Sequence, residues 1–479
     1  MSTKKSAISG IFWTLIDALL IKGVGFVTTL ILTDLLSPDD YGLIGMIIVF
    51  VLVGNSFVES GMTASLIRTK NADSADYSTV FFLSLFSAIV IYAILFFAAP
   101  LVSTFYDKDI LTPILRWYGL TFIISAFSSV QLTMMTAKME FKKITKLNIP
   151  GAVLGAIVGI TMGYLGYGVW SLAAMFLVTQ VLQTIFFWSF SDWQPKLIFS
   201  KEKAKFHYIF GYKLMLSGLL NTVFNNIYNI IIGKFYSITL LGYFERSRTF
   251  NEYPTNIITS IVSKVTYPLL ANIKNNREEL SNAYQKILGL SFFITAPLMF
   301  GLAAVAHPLF QLLFNDKWLP AVPYFQIISL ASMFYPIHSI NLNVLKVFGR
   351  TDLFLKLEVI KKIITVVVIV LSIPFGVMGL VWSSVILSVI ALLINTHYSA
   401  SMIGYSTQRQ LLDMLPTLVL SALLYGLVSL TIYFLSDSPL ILQILVSFIL
   451  AITFYVGANF AFKTPSFMFA LKLVKEYKP

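Results

Sequence analysis

Apolar runs of about twenty residues recur along almost the whole chain, divided by short polar breaks. A bilayer core about 30 Å thick takes about twenty residues of α-helix. The runs therefore predict fourteen transmembrane helices, near 10–36, 41–63, 79–103, 113–137, 145–165, 168–190, 207–233, 241–266, 284–306, 319–345, 356–374, 377–398, 411–435 and 439–462. Breaks such as Ser37-Pro38-Asp39-Asp40 and Asp437-Ser438-Pro439 combine proline with aspartate, which end helices. Lys4 and Lys5 precede the first run, which carries Asp17 and Lys22 and has no small-residue cleavage site before it. It is read as a membrane helix and not as a cleavable signal.

The pattern repeats. Phe105-Tyr106-Asp107-Lys108 returns as Phe314-Asn315-Asp316-Lys317, and Gly168-Val169-Trp170-Ser171 as Leu380-Val381-Trp382-Ser383. Ser37 to Gly42 returns as Ser237 to Gly242. The offsets, about 200 to 212 residues, are far longer than a solenoid repeat. They indicate a duplicated unit of six spans. Six spans return the chain to its starting side, so the copies are expected to share one orientation about an axis along the membrane normal. The expected fold is all-α integral membrane: two six-helix lobes related by a pseudo-two-fold, plus two C-terminal helices. Residues 1–200 form the first lobe, 201–405 the second, and 406–479 spans 13 and 14 with a tail. A duplication in so apolar a chain points to a transporter with its substrate path between the copies.

Charge orients this arrangement. Of the 34 Lys and Arg, 26 fall in the N-terminus, the tail and alternate loops, among them Lys138, Lys142, Lys143, Lys146, Lys201, Lys203 and Lys205. The opposite side holds Lys108, Lys234 and Lys317. This asymmetry predicts that both termini lie in the cytoplasm. The net charge of +12 is thus spent on orientation and on anionic lipid headgroups, and no soluble module is left to bind nucleic acid.

Composition narrows the chemistry. The chain is 57% hydrophobic and 12% charged, with no cysteine, which excludes disulfides and thiolate sites. There is no Gly-x-x-x-x-Gly-Lys-Ser/Thr phosphate loop. His207, His307, His338 and His397 are scattered without metal-ligand spacing, and no Ser/His/Asp arrangement is legible. No catalytic residue, metal or cofactor is called for.

The informative residues are polar groups inside the apolar runs. The bases are Lys22, Arg116, Lys213, Arg246 and Arg248; the acids are Asp17, Glu59, Glu245 and Glu252. Each would cost about 2.5–3.5 kcal/mol at the centre of a lone helix, so they line a cavity or pair. Lys22 is the deepest cation, with Thr29 and Thr33 on nearly the same face; Asp17 lies roughly 140° around the helix from it. In span 7, Lys213, Ser217, Asn221, Asn225 and Asn229 recur every fourth residue, a slowly winding strip that suits either cavity lining or interhelical hydrogen bonding. In span 8, Arg248 and Glu252 are spaced to pair, and Pro254 can kink the helix beside them. Glu245, Arg246, Glu59 and Arg116 lie near span ends, where snorkelling to water is the alternative. Span 10 repeats the theme with Tyr335, Pro336, His338, Asn341 and Asn343, where His338 is read as structural. Lys22, Arg116, Lys213, Asn221, Asn225, Asn229, Arg246 and Arg248 are the candidates for substrate binding. Asp17, Glu59, Glu252 and Pro254 are the candidates for coupling and gating.

An ordered set of short motifs carries a resemblance. It comprises Leu35-Leu36-Ser37-Pro38-Asp39-Asp40-Tyr41-Gly42-Leu43-Ile44-Gly45-Met46, then Glu59-Ser60-Gly61-Met62 with Ser65-Leu66-Ile67-Arg68. Ile232-Gly233-Lys234, Leu241-Gly242-Tyr243-Phe244 with Arg246, Trp318-Leu319-Pro320-Ala321-Val322-Pro323 and Gly349-Arg350-Thr351-Asp352 follow. From about residue 8 to 403 the chain resembles Wzx-type polysaccharide exporters, nearest the colanic-acid and teichuronic-acid branch. The resemblance implies the multidrug/oligosaccharidyl-lipid/polysaccharide exporter fold and a flippase carrying undecaprenyl-diphosphate-linked oligosaccharide to the outer leaflet of the bacterial inner membrane. It implies Lys22 and Arg246 as diphosphate ligands, alternating access, a proton or sodium gradient as the candidate energy source, and polysaccharide-polymerising machinery as a partner. Where many relatives carry an acid just before the span 7 asparagine, this chain has Tyr228. A multidrug cation antiporter of the same superfamily is the alternative, followed by a membrane polymerase or ligase. The first calls for an acidic cavity, the second for a large outer loop.

Overall fold

The computed structural model describes residues 23–59, 61–69 and 71–476, with the side chains of 59, 473, 474 and 476 outside the description. Asp17 and Lys22 lie outside the described residues, and so does the side chain of Glu59. Among the described residues every regular element is helical. The order is α1 (Gly23–Leu35), α2 (Pro38–Glu59), α3 (Met62–Arg68), α4 (Ser74–Tyr106), α5 (Leu111–Ala137), α6 (Phe141–Tyr164), α7 (Val169–Ser189), α8 (Lys201–Asn225), α9 (Ile227–Phe235) and α10 (Ile238–Ile273). There follow α11 (Arg277–Ala304), α12 (Ala306–Phe314), α13 (Val322–Ser332), α14 (Tyr335–Val347), α15 (Thr351–Ser372), α16 (Gly376–Ile403), α17 (Thr407–Phe434), α18 (Leu440–Phe462) and α19 (Pro465–Glu476).

Among the described residues nine helical stretches are long and apolar enough to cross a membrane, with Thr351–Ile403 counted as one. Large apolar side chains such as Phe97, Leu101, Phe448 and Ile449 stand exposed on them, a surface that only lipid accommodates. The chain is an all-α, multi-pass membrane protein. Among the helices that fall below the threshold are α8, α9, α10, α13 and α14. These coincide with runs expected as spans 7, 8 and 10, and they hold most of the candidate polar residues.

The helices form two compact units, Met1–Gly242 and Tyr243–Pro479. This division by contact falls beyond the sequence repeat boundary at 200, because α8 packs on α2, α3 and α4, and α9 on α2. In the first unit α4, α5, α6 and α7 pack in sequence, and Trp188 Nε1 donates to the Phe127 carbonyl at 2.8 Å. In the second, α11 packs on α13 and α17, and α16 on α13, α14 and α15. Its core is aromatic: Trp318, Tyr284, Phe292, Phe310, Phe314 and Phe325 are fully buried.

One repeat is visible as geometry inside the first unit. Ser37 Oγ accepts from Asp40 N at 3.3 Å, and Ser237 Oγ accepts from Leu240 N at 3.2 Å, so the two motifs begin their helices in the same way. The motifs also pack on each other. A Cβ on Gly42 would lie 2.1 Å from the Ile238 carbonyl oxygen, and one on Gly242 would lie 1.9 Å from that of Pro38. The reciprocity, residue for residue, is that of a local two-fold. Thr239 Oγ1 donates to Asp39 at 2.6 Å beside it.

Several expected spans are broken. The run at 319–345, expected as one helix, is a 3-10 turn (Asp316–Ala321), then α13, then α14. Pro336 lacks the amide hydrogen needed to continue α13 into α14. The carbonyls exposed by the break are taken by hydroxyls: Ser388 Oγ donates to Ala331 O at 2.8 Å and Thr295 Oγ1 to Met333 O at 3.2 Å. A broken helix survives at membrane depth only with such partners.

Candidate functional site

In the first unit the polar strip is carried by α8. Lys213, Ser217, Asn221 and Asn225 are all exposed, and Asn226 and Asn229 beyond them are buried. The change coincides with the end of α8. Asn226 N bonds to Val223 O at 3.2 Å, one residue short of the helical pattern, and its side-chain Nδ2 takes the Thr222 carbonyl at 2.8 Å. The side chain thus replaces the backbone bond that the break removes. Asn229 then anchors α9 to α2 by donating to Gly45 O at 3.1 Å. Within the expected strip, Asn229 is an interhelical anchor, and the exposed part runs from Lys213 to Asn225. The exposed row presents a cation, a hydroxyl and two amides, groups that hydrocarbon would leave unsolvated.

Arg116 stands on α5 and is engaged with α4. Its Nε donates to Phe96 O at 3.2 Å, and the guanidinium lies 4.1 Å from the Phe96 ring centroid. A shallow cleft of about 300 Å³ adjoins it, lined by Tyr92, Thr112 and Trp117.

In the second unit α10 carries the ionic residues on one face and an anchor on another. Arg248 Nε donates to Glu252 at 3.0 Å, and Arg248 lies 3.6 Å from Glu245. The pair expected from spacing is present, and Glu245 joins it. On the anchoring face Ser247 donates to Ala321 O at 2.7 Å and Asn251 to Ser329 Oγ at 2.7 Å. Arg246 is buried, 5% exposed, which sets aside the snorkelling alternative. Pro254 lies inside α10, which continues past it to Ile273. Thr255 Oγ1, next along, donates to Asn251 O at 2.9 Å. Tyr335, at the start of α14, is within electrostatic reach of Arg248 and Glu252, so the broken helix and the ionic face adjoin.

His338 Nε2 lies 3.2 Å from Ser388 Oγ, consistent with its structural reading. Asn341 belongs to a buried network. Its Oδ1 accepts from Ser399 and lies 2.6 Å from the Tyr284 hydroxyl, which is 3.0 Å from Gln410.

The fold also assembles a cluster that sequence reasoning missed. His207 is fully buried on α8; its Nδ1 lies 2.8 Å from Ser65 Oγ on α3 and its Nε2 3.2 Å from Asp76 Oδ1 on α4. Lys203 Nζ reaches Asp76 at 2.8 Å and Asp73 at 2.7 Å. Lys203 holds the exposed Asp73 carboxyl well below the usual range, and the two acids raise Lys203. A serine, a histidine and an aspartate meet here, an arrangement the sequence did not make legible. Ser65 is 2% exposed and Asp76 7%, so the trio stands inside the helix packing. No local motif announces it: Ser65 and His207 are 142 residues apart.

A profile of a polysaccharide biosynthesis protein family matches residues 31–323. The teichuronic acid biosynthesis protein TuaB of Bacillus subtilis (strain 168) is 24% identical over 360 residues, 74% of this chain and 73% of that protein. The lipopolysaccharide biosynthesis protein WzxC of Escherichia coli (strain K12) is 23% identical over 436 residues, 88% of each chain. Among solved structures, the lipid II flippase MurJ in an inward closed conformation superposes with a TM-score of 0.73 at 15% identity, over 94% of this chain and 99% of that one. An inward-facing multidrug resistance transporter of the MATE family gives 0.62 at 15% identity, over 83% and 99%.

Proposed function

Because the chain belongs to the polysaccharide biosynthesis protein family, we propose that it is a flippase for polyprenyl-diphosphate-linked oligosaccharide, moving it from the cytoplasmic to the outer leaflet of the bacterial inner membrane for surface polysaccharide assembly. The observation that carries this reading is the exposed row Lys213, Ser217, Asn221 and Asn225 on a helix of a multi-pass membrane protein. Amides and hydroxyls in a wet path suit sugars, which offer a hydroxyl on nearly every carbon. Cations suit a diphosphate; on this reading Lys22 and Arg246 hold it, Lys213 and Arg248 line its path, and the prenyl tail stays in lipid. Both termini are cytoplasmic, access alternates between the two sides, and a proton or sodium gradient supplies the energy. A fold shared with a lipid II flippase and with a drug transporter accommodates the reading, and the excess of interior bases over acids favours an anionic cargo over a cationic one.

The test is reconstitution in proteoliposomes with a fluorescent prenyl-diphosphate-linked glycan. The wild-type protein is expected to flip it, and Lys22→Ala and Arg246→Ala each to slow flipping at least tenfold. Wild-type rates in both variants would remove the diphosphate assignment. Transport of a cationic dye, with no movement of the glycan, would replace the reading with the drug-antiporter one.

A further inference from the structure

The cluster on α3, α4 and α8 joins one lysine to two carboxylates and a buried imidazole. Around Lys203 stand two carboxylates, Asp73 and Asp76, so the group carries one net negative charge while His207 is neutral. Asp76 as a carboxylate only accepts, so its bond at 3.2 Å places a proton on His207 Nε2. The other ring nitrogen, Nδ1, is 2.8 Å from the Ser65 hydroxyl, which donates to a neutral ring and accepts from a protonated one. The site is therefore hydrogen-bonded in both protonation states. It is charge-balanced only when the imidazole is protonated, and the bond to Asp76 is then charge-assisted and stronger. Asp73, whose side chain is 60% exposed, brings the cluster to water.

Other titratable and charged groups stand near the cluster. On α4, Tyr77 is a phenol beside Asp76. On α3, Arg68 is 4.5 Å from the Phe210 ring centroid. Lys196, on the connector before α8, meets Ser78 through its backbone nitrogen, as Ser200 meets Thr79.

We propose that His207 and Asp76 form a proton-binding site that latches the N-terminal end of α8 onto α3 and α4. The proton comes from cytoplasmic water, adds to Nδ1, and changes no bonds other than hydrogen bonds. Protonation tightens the latch; deprotonation leaves the excess negative charge and loosens it. One turn along, Gly61 sits 2.6 Å from the Gly211 carbonyl oxygen as measured from an added Cβ, so α8 bears directly on the start of α3. The same helix carries Lys213 to Asn225, so shifting its end moves the polar strip. What that motion accomplishes rests on the flippase reading; the latch itself does not.

The absence of cysteine makes the test direct. Spin labels on Ala64→Cys in α3 and Ile209→Cys in α8, both exposed positions, report the distance across the latch in lipid nanodiscs. Raising pH from about 5.5 to 8.5 is expected to shift the distribution toward longer distances through a single midpoint. His207→Gln, which keeps hydrogen bonding but does not titrate, is expected to abolish the shift. Asp76→Asn, which removes the neighbouring negative charge, is expected to lower the midpoint by about one pH unit or more. A wild-type distance unchanged across this range overturns the proposal; so does a shift that persists in His207→Gln, or an unmoved midpoint in Asp76→Asn. Glycan flipping is measured on the same preparations. A pH-dependent distance in a protein that never flips glycan leaves the latch standing and removes the flippase reading; flipping with a fixed distance does the reverse.

Discussion

Arg248 sits between two carboxylates, Glu252 at 3.0 Å and Glu245 at 3.6 Å. Both lie on its own helix, three and four residues away, so the contact is readable from spacing alone. Removing the guanidinium leaves two acids side by side, each without its charge partner. Arg248→Ala is expected to slow flipping at least tenfold, about 1.4 kcal/mol of lost stabilisation, with Glu252→Gln closer to wild type. The proteoliposome assay separates the two. At the same scale the His207–Asp76 contact was illegible, because 131 residues separate the partners and neither stands in a recognisable pattern. Asn229 was seen as one of a strip, but only the fold shows that it turns inward to Gly45 while Lys213 to Asn225 stay exposed.

Among the elements, helix breaks and close approaches carry the most information. The hydroxyls of Ser388 and Thr295 serve carbonyls at the α13–α14 break. Ser388→Ala and Thr295→Val are each expected to cost about 1–3 kcal/mol, read as a lower unfolding temperature in detergent. The reciprocal glycines are less forgiving. At Gly42 and Gly242 a methyl group would meet a backbone oxygen at 2.1 and 1.9 Å, so Gly42→Ala and Gly242→Ala are expected to prevent accumulation of folded protein. Gly218, with nothing within 4 Å, is the control: Gly218→Ala is expected to fold normally and gain up to about 1 kcal/mol of helix propensity. Size-exclusion profiles after membrane extraction distinguish these outcomes. The Ser37 and Ser237 motifs were visible as a repeat; their mutual packing was not, since a repeat does not say whether its copies touch.

For the molecule as a whole, orientation is the first property to test. Single cysteines replacing Lys142 and Lys108 are expected to react with a membrane-impermeant maleimide from opposite sides, Lys142 from the cytoplasm. Ser217→Cys is expected to react with water-soluble reagents, and Phe97→Cys, exposed on an apolar helix face, to resist them. Unreactive Ser217→Cys would remove the wet path from the proposed mechanism.

The sequence by itself determined the class of this protein: apolar runs of membrane length, a duplicated frame, a one-sided distribution of bases and the identity of the polar residues inside the runs. Those follow from local periodicity and composition, which the bilayer reads one helix at a time. Only the tertiary structure decided which polar residues are spent on holding helices together and which stay open to water. It also decided where expected spans break and that Ser65, Asp76 and His207 meet. Each of those depends on which helix lies beside which, and one helix's pattern records the existence of a buried face but not its neighbour.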